Sequence, residues 1–227
     1  MAELWHDAWV LNNRFFPLKI ILVWRWPVRL MHWSMVAAFI VAMWTRDSEL
    51  ERMIHIYAGY VMATVLAARI IYGFAANDLA AFRRFPPSIP RGVKYTIDLI
   101  RGRARNHLGH NPAGALAIYG MLLLGVAAVA SGYWAFEYDN DFAKVLHHHF
   151  CYTWYWLVCL HLFGVLMGSL AHEEFLVKAM ITGCKTRRSI HEPFSLQAAA
   201  ITLIMILIRI LDLINRLFGG KGFIGRK

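Results

Sequence analysis

The sequence predicts an all-α membrane protein: a bundle of four transmembrane helices with an additional apolar helix near the C-terminus. Three observations carry this. The 227 residues are 59% hydrophobic and their mean hydropathy is +0.45, more apolar than soluble domains usually are. Runs near 20 residues with few charges recur along the chain, the length a helix needs to cross a hydrocarbon core. The formal net charge of +10 is concentrated between those runs, which argues against a nucleic-acid partner, for which a continuous basic face would be expected.

Taken in order, residues 1–28 form a leader rich in Trp and Phe, residues that favour the membrane interface. Pro27 suits the start of a helix, and the first span is expected over about Leu30–Trp44, a short run unless Ile20–Trp26 helps at the interface. The second is expected over Met53–Phe74, the third over Ala113–Phe136 and the fourth over Phe150–Ala171. The longest loop, Ala75–Pro112, contains Phe85-Pro86-Pro87-Ser88-Ile89-Pro90, which breaks any helix. Beyond it, Val93, Tyr95, Ile97, Leu99 and Ile100 alternate with Lys94, Asp98 and Arg101, the pattern of a short interfacial helix. A further apolar run spans Leu196–Leu213, with Ser195, Thr202, Arg209 and Arg216 in a narrow polar stripe. Crossing the membrane would leave Lys221, Arg226 and Lys227 outside, so the charge rule favours placing this helix along the surface or against a partner. One membrane domain is expected at residues 29–190, between the leader 1–28 and a C-terminal helix and basic tail at 191–227.

Charge sets the orientation. Arg14, Lys19, Arg25 and Arg29 precede the first span. Arg83, Arg84, Arg91, Lys94, Arg101, Arg103 and Arg105 lie between the second and third, and Lys178, Lys185, Arg187 and Arg188 follow the fourth. The two remaining loops carry Asp47, Glu49, Glu51, Glu137, Asp139 and Asp141. The positive-inside rule therefore places the N-terminus in the cytoplasm and both short acidic loops outside. No cleavable signal peptide is evident. Cys151, Cys159 and Cys184 form no CxxC pair, so neither disulfides, zinc nor covalently attached c-type haem is expected; Cys151 and Cys159 read as small packing residues.

Histidines carry the chemistry. Ionisable or metal-binding side chains within spans are costly and usually have a task, and neutral imidazole is a good ligand for haem iron. His147 and His161 lie fourteen residues apart, about 40° short of four full turns, so they share a face roughly 21 Å apart along the axis. That spacing can hold two haems stacked across a membrane. With alternating topology, His55 and His147 both lie near the outer side, while His32 and His161 lie toward the cytoplasm. Depth therefore pairs His55 with His147 and His32 with His161. His148 and His149 compete with His147, but they sit roughly 140° and 120° off the face of His161. His172 reads as an interfacial residue, His107 and His110 as neighbours of propionates or headgroups, and His6 and His191 as solvated. Arg25, Arg29 and Arg69 are candidates for propionate or headgroup contact. Gly59 with Ala63, and Gly164 with Gly168, are small at four-residue spacing, which lets a helix or a flat porphyrin approach closely.

At these residues the chain resembles the b-type cytochrome subunit of membrane-bound nickel–iron hydrogenases, within the wider group of bacterial cytochromes b561 and formate dehydrogenase cytochrome subunits. Pro27-Val28-Arg29-Leu30-Met31-His32-Trp33 resembles the first-span motif of that family. Ile54-His55, Ala58-Gly59 and Arg69-Ile70-Ile71-Tyr72-Gly73-Phe74-Ala75-Ala76-Asn77 resemble its second span. Gly109-His110-Asn111-Pro112 resembles its third-span entry, and His147 and His161 with Val165 to Glu173 its fourth. The resemblance covers roughly residues 25–190. It implies two non-covalent haems b on the histidine pairs above, in a multi-pass protein of the bacterial inner membrane. It also implies electron transfer between a periplasmic redox partner and the quinone pool, the partner being a hydrogenase, a dehydrogenase or a cytochrome c. Two other functions compete: a stand-alone cytochrome b561-type quinol oxidase, and a non-redox transporter with a histidine proton relay.

Overall fold

The computed structural model describes residues 19–172 and 174–187. In chain order these form β1 (Lys19–Leu22), α1 (Trp26–Thr45), α2 (Arg52–Ala75), a 3-10 turn (Phe82–Arg84), α3 (Ile89–Ile100), α4 (Pro112–Glu137), α5 (Asp141–Ala171), α6 (Leu176–Thr182) and β2 (Cys184–Arg187). α1, α2, α4 and α5 are each long and apolar enough to cross a membrane. The expected C-terminal helix, His6 and His191 lie outside the described residues.

Each span is longer than its apolar run. α1 starts at Trp26, with Pro27 in its first turn where the missing N–H costs nothing. Its 20 residues therefore span about 30 Å without help from Ile20, and Ile20 lies in β1 instead. α5 begins at Asp141, not Phe150. The Asn140 side chain caps it by accepting from Ala143 N at 2.9 Å, and a polar first turn with Asp141 and Lys144 lies outside the hydropathic window. His147 thus sits within the second turn of a 31-residue helix. Asn111 caps α4 in the same way, accepting from Gly114 N at 2.7 Å. The interfacial helix starts earlier than its apolar pattern, because Pro90 occupies the first turn of α3 rather than ending a helix. Gly92 and Tyr95 are buried, and Gly92 lies so close to Leu116 of α4 that a Cβ would push that side chain aside.

The loop-rich end of the bundle is tied together by contacts far apart in sequence. β1 pairs antiparallel with β2, Lys19 opposite Arg187 and Leu22 opposite Cys184. Gly183, at φ +84°, follows α6 in the left-handed conformation that glycine adopts without strain. Its carbonyl accepts from both Val23 N at 2.8 Å and Trp24 N at 3.0 Å. Arg29 donates to the carbonyl of Ile181, and Trp33 Nε1 to that of Met180 at 3.1 Å. Val23, Trp24, Val28, Ala80 and Ala179 form the apolar core of this end. Among the described residues, the opposite end has two short connections, residues 46–51 and 138–140.

Within the spans, α1 packs on α2, α2 on α4 and α4 on α5. α1 and α5 meet through side chains, the Phe39 and Trp154 rings lying edge to face at 5.2 Å. A second core cluster, Ala38, Met62, Leu66, Ala128 and Trp154, occupies the middle of the bundle. Among the described residues no large side chain is wholly buried, unlike a close-packed interior.

Candidate haem sites

The pair expected on the outer side, His55 with His147, has its two rings opposite each other across the bundle. His55, on the first turn of α2, and His147, on α5, hold their rings at 6.1 Å between centres, nearly perpendicular at 89°. Each ring is anchored to main chain. His55 Nδ1 lies 2.9 Å from the carbonyl oxygen of Ala42 on α1, and His147 Nδ1 lies 2.8 Å from that of Ala128 on α4. A carbonyl can only accept, so both rings carry their proton on Nδ1 and keep the Nε2 lone pair free. This is the usual arrangement for a metal-bound histidine, whose second N–H is held by an acceptor that fixes the ring and raises its basicity. With an imidazole–metal bond of about 2 Å, two ligands on opposite faces of one iron place their ring centres roughly 6 Å apart. The spacing of His55 and His147 fits haem.

The face chosen from helical angles is the face observed. His147 is half-buried, whereas His148 and His149 are exposed, His148 stacking on Tyr152 at 6.4 Å. Gly132 of α4 makes room for His147: a Cβ there would fall 2.9 Å from both Nδ1 and Cε1 of the ring. Cys151 Sγ lies 3.5 Å from His147 Nε2, so this packing residue borders the site.

The other expected pair, His32 on α1 and His161 on α5, is partly buried on both helices. The Nδ1 of His32 is buried without a partner, as are Arg29 Nε, Arg69 Nη1 and His110 Nδ1. Such orphaned donors are expensive in a finished interior. A group bearing carboxylates, as haem b does, fits that set of donors. Arg69 is 6% exposed; its other nitrogen donates to Ala80 O at 3.1 Å and its guanidinium lies 5.2 Å from the centre of the Phe82 ring. Arg25 is exposed.

His110 belongs to the inner site more closely than its loop position suggests. Its ring packs between Trp24 at 4.5 Å and Phe85 at 4.2 Å. Burial, then the charges of Arg69, His161 and Lys185, hold its imidazole down to about 3. Only a helical loop folding back under α1 could bury it, and nothing local in Gly109-His110-Asn111 signals that. His172 is the half-buried C-cap residue of α5, its Nε2 3.1 Å from Tyr95 OH. His107 shares that surface, its ring 5.5 Å from Tyr95. Nearby, Lys185 and Glu174 form a largely buried ion pair at 3.1 Å. Gly59 and Gly164 serve no tight helix crossing, since a Cβ on either would meet no atom within 4 Å; both border open space.

Between the two levels stands Trp154, seven residues from His147 and seven from His161, hence on nearly the same face of α5. It is 9% exposed, and Gly125 admits its ring against α4.

Four helices long and apolar enough to cross a membrane, two of them bearing facing imidazoles, suit a membrane-bound b-type cytochrome, a helical protein that carries electrons on haem b. The chain belongs to the prokaryotic cytochrome b561 family, whose profile matches residues 23–183. Among curated relatives, a protein of Escherichia coli strain K12 named "Probable Ni/Fe-hydrogenase 1 B-type cytochrome subunit" is 23% identical over 209 residues, covering 71% of this chain and 89% of its own. The protein of the same name from Escherichia coli O157:H7 aligns with the same identity and coverage. No solved structure matches.

Proposed function

We propose that this chain carries electrons across the bacterial inner membrane between a periplasmic redox partner and the quinone pool. His55 and His147 would hold one haem b near the outer side, and His32 and His161 a second toward the cytoplasm. Haem b supplies a one-electron ferric–ferrous couple. The observation that carries the reading is the facing pair His55 and His147, each with Nδ1 held by a carbonyl of a neighbouring helix.

The other residues have roles that follow from their positions. The Ala42 and Ala128 carbonyls hold the outer imidazoles in the tautomer that offers Nε2. The apolar layer of Ala38, Met62, Leu66, Ala128 and Trp154 separates the two levels and excludes water between them, so electrons can cross where protons cannot. At the inner end, Arg29, Arg69 and His110 offer donors to carboxylates. Charge supports a cytoplasmic N-terminus, with the basic loop and the β1–β2 pair on the inner side and connections 46–51 and 138–140 outside. Those outer connections are short, which leaves the outer pair near the surface and within reach of a docked protein. The names of the relatives suggest a Ni/Fe hydrogenase as partner; another dehydrogenase or a cytochrome c would use the same surface.

The purified protein should contain close to two protoporphyrin haems per chain by pyridine haemochrome assay, both low-spin. A value near zero removes the cytochrome reading of this chain, and a value near one removes one of the two pairs. Identification of co-purifying subunits separates a complex subunit from a stand-alone quinol oxidase.

A further inference from the structure

The carbonyl of Ala128 receives more donors than a buried carbonyl usually does. His147 Nδ1 reaches it at 2.8 Å. Ser131 Oγ lies 3.0 Å from the same oxygen and 2.7 Å from the Ala127 oxygen. Ser131 is only 4% exposed, so no water competes for its hydroxyl. The next residue, Gly132, is the one whose Cβ would strike the His147 ring. Two adjacent residues of α4 thus control both the approach of the imidazole to its acceptor and the strength of that acceptor.

We propose that Ser131 and Gly132 set the reduction potential of the haem held by His147, acting through the Ala128 carbonyl. This rests on the reading of His147 as an axial ligand. A hydrogen bond from Nδ1–H to a carbonyl gives the ring more imidazolate character, makes Nε2 a stronger donor to iron and favours the ferric state. A hydroxyl sharing that carbonyl draws on the same lone pairs and weakens the bond. Removing the hydroxyl should strengthen the bond and lower the potential. Displacing the ring should break the bond and raise the potential. Both residues are positioning residues, since neither touches the iron.

The opposite signs make the test discriminating, because loosened packing alone would not move the two variants in opposite directions. Redox titrations of the haem-loaded full-length protein would follow the component that His55→Ala removes. In Ser131→Ala that component should move to lower potential, and Ser131→Thr, which restores a hydroxyl, should return it to the wild-type value. In Gly132→Ala it should move to higher potential or be lost while the inner component stays. The low-spin electron paramagnetic resonance signal of the outer haem should shift in both variants. An unchanged or raised midpoint in Ser131→Ala overturns the proposal, whatever Gly132→Ala does. His147→Gln separates the two claims. If it keeps the outer haem low-spin, the ligand reading fails. If it loses that haem while Ser131→Ala is unshifted, the tuning proposal fails and the ligand reading stands.

Discussion

His55→Ala and His32→Ala should each remove one redox component, and the two lost components should differ. The bond from His55 to the Ala42 carbonyl fixes the level of the outer site on α1. His32 lies ten residues before Ala42 on that helix, about 15 Å farther in at 1.5 Å per residue. On α5, His161 lies about 21 Å farther in than His147. His32 and His161 therefore differ in depth by roughly 6 Å, a difference that helix tilt and two side chains can absorb. A crossed pairing of His32 with His147 would have to close about 15 Å, while two ligands of one iron keep their ring centres only roughly 6 Å apart. His55→Ala and His147→Ala should each lower haem content from two to one and abolish the same component in a potentiometric titration followed in the α-band. His32→Ala and His161→Ala should disturb the other. If His55→Ala and His32→Ala removed the same component, the assignment by depth would be wrong.

Further outcomes are expected. His148→Gln and His149→Gln should retain both haems, because these rings face outward; loss of the outer low-spin signal in His148→Gln, with His147→Gln unaffected, would transfer the ligand role. Trp154→Ala should lower stability by about 3–5 kcal/mol, the usual cost of removing a buried aromatic, visible as a drop in thermal midpoint; a change within error would mean the middle layer is not packed as described. The imidazole of His110 is held from 6.5 down to about 3, so folding favours its neutral form. The associated stability is fully present above about pH 6.5 and is lost as pH falls from there toward about 3. His110→Gln should flatten that acid limb in thermal melts at stepped pH, and an unaltered limb would show that other groups govern it. Reduction of the outer haem by its native partner should slow as salt rises, since Glu137, Asp139 and Asp141 are exposed and steering by such charges is screened within about 8 Å. Neutralising the three together should weaken the salt dependence in stopped-flow traces. Insensitivity to salt in both forms would point to apolar docking or a permanent subunit.

The four spans were legible because a hydrocarbon core demands long apolar runs and tolerates little else. Their ends were not, because polar caps terminate the hydropathic signal before the helix ends. Asn140, Asp141 and Lys144 look like a loop, yet the Asn140 cap and the i,i+3 pair of Lys144 with Asp141 at 2.9 Å extend α5 by more than two turns. The β1–β2 pair could not be read locally, since each strand has four residues and gains its partner only when α6 returns to the start of α1. The burial of His110 has the same origin: Trp24 and Phe85, 86 and 25 residues earlier in the chain, pack on its ring, and only the folded loop brings both to it.

The shared face of His147 and His161 was legible from two numbers alone, the helical rise and the helical angle, because both lie on one regular helix. What distinguishes the two levels is tertiary. The outer imidazoles find acceptors in carbonyls of other helices, and a main-chain carbonyl leaves no mark on a sequence. Ala42 and Ala128 are there as small residues on crowded faces; any residue has the same oxygen, but few would let a ring come so near it. Gly132 left a trace of this need, although a glycine in an apolar helix signals helix packing as readily as room for an imidazole. The inner level shows the complementary case. Arg29, Arg69 and His110 announce themselves as polar residues near spans, but only the folded chain leaves one nitrogen of each buried and unpaired. The outer site has closed its hydrogen bonds within the protein, whereas the inner site retains donors for a charged guest. Sequence periodicity nominated both histidine pairs as candidates, and the hydrogen bonds formed or left open on folding distinguish their surroundings.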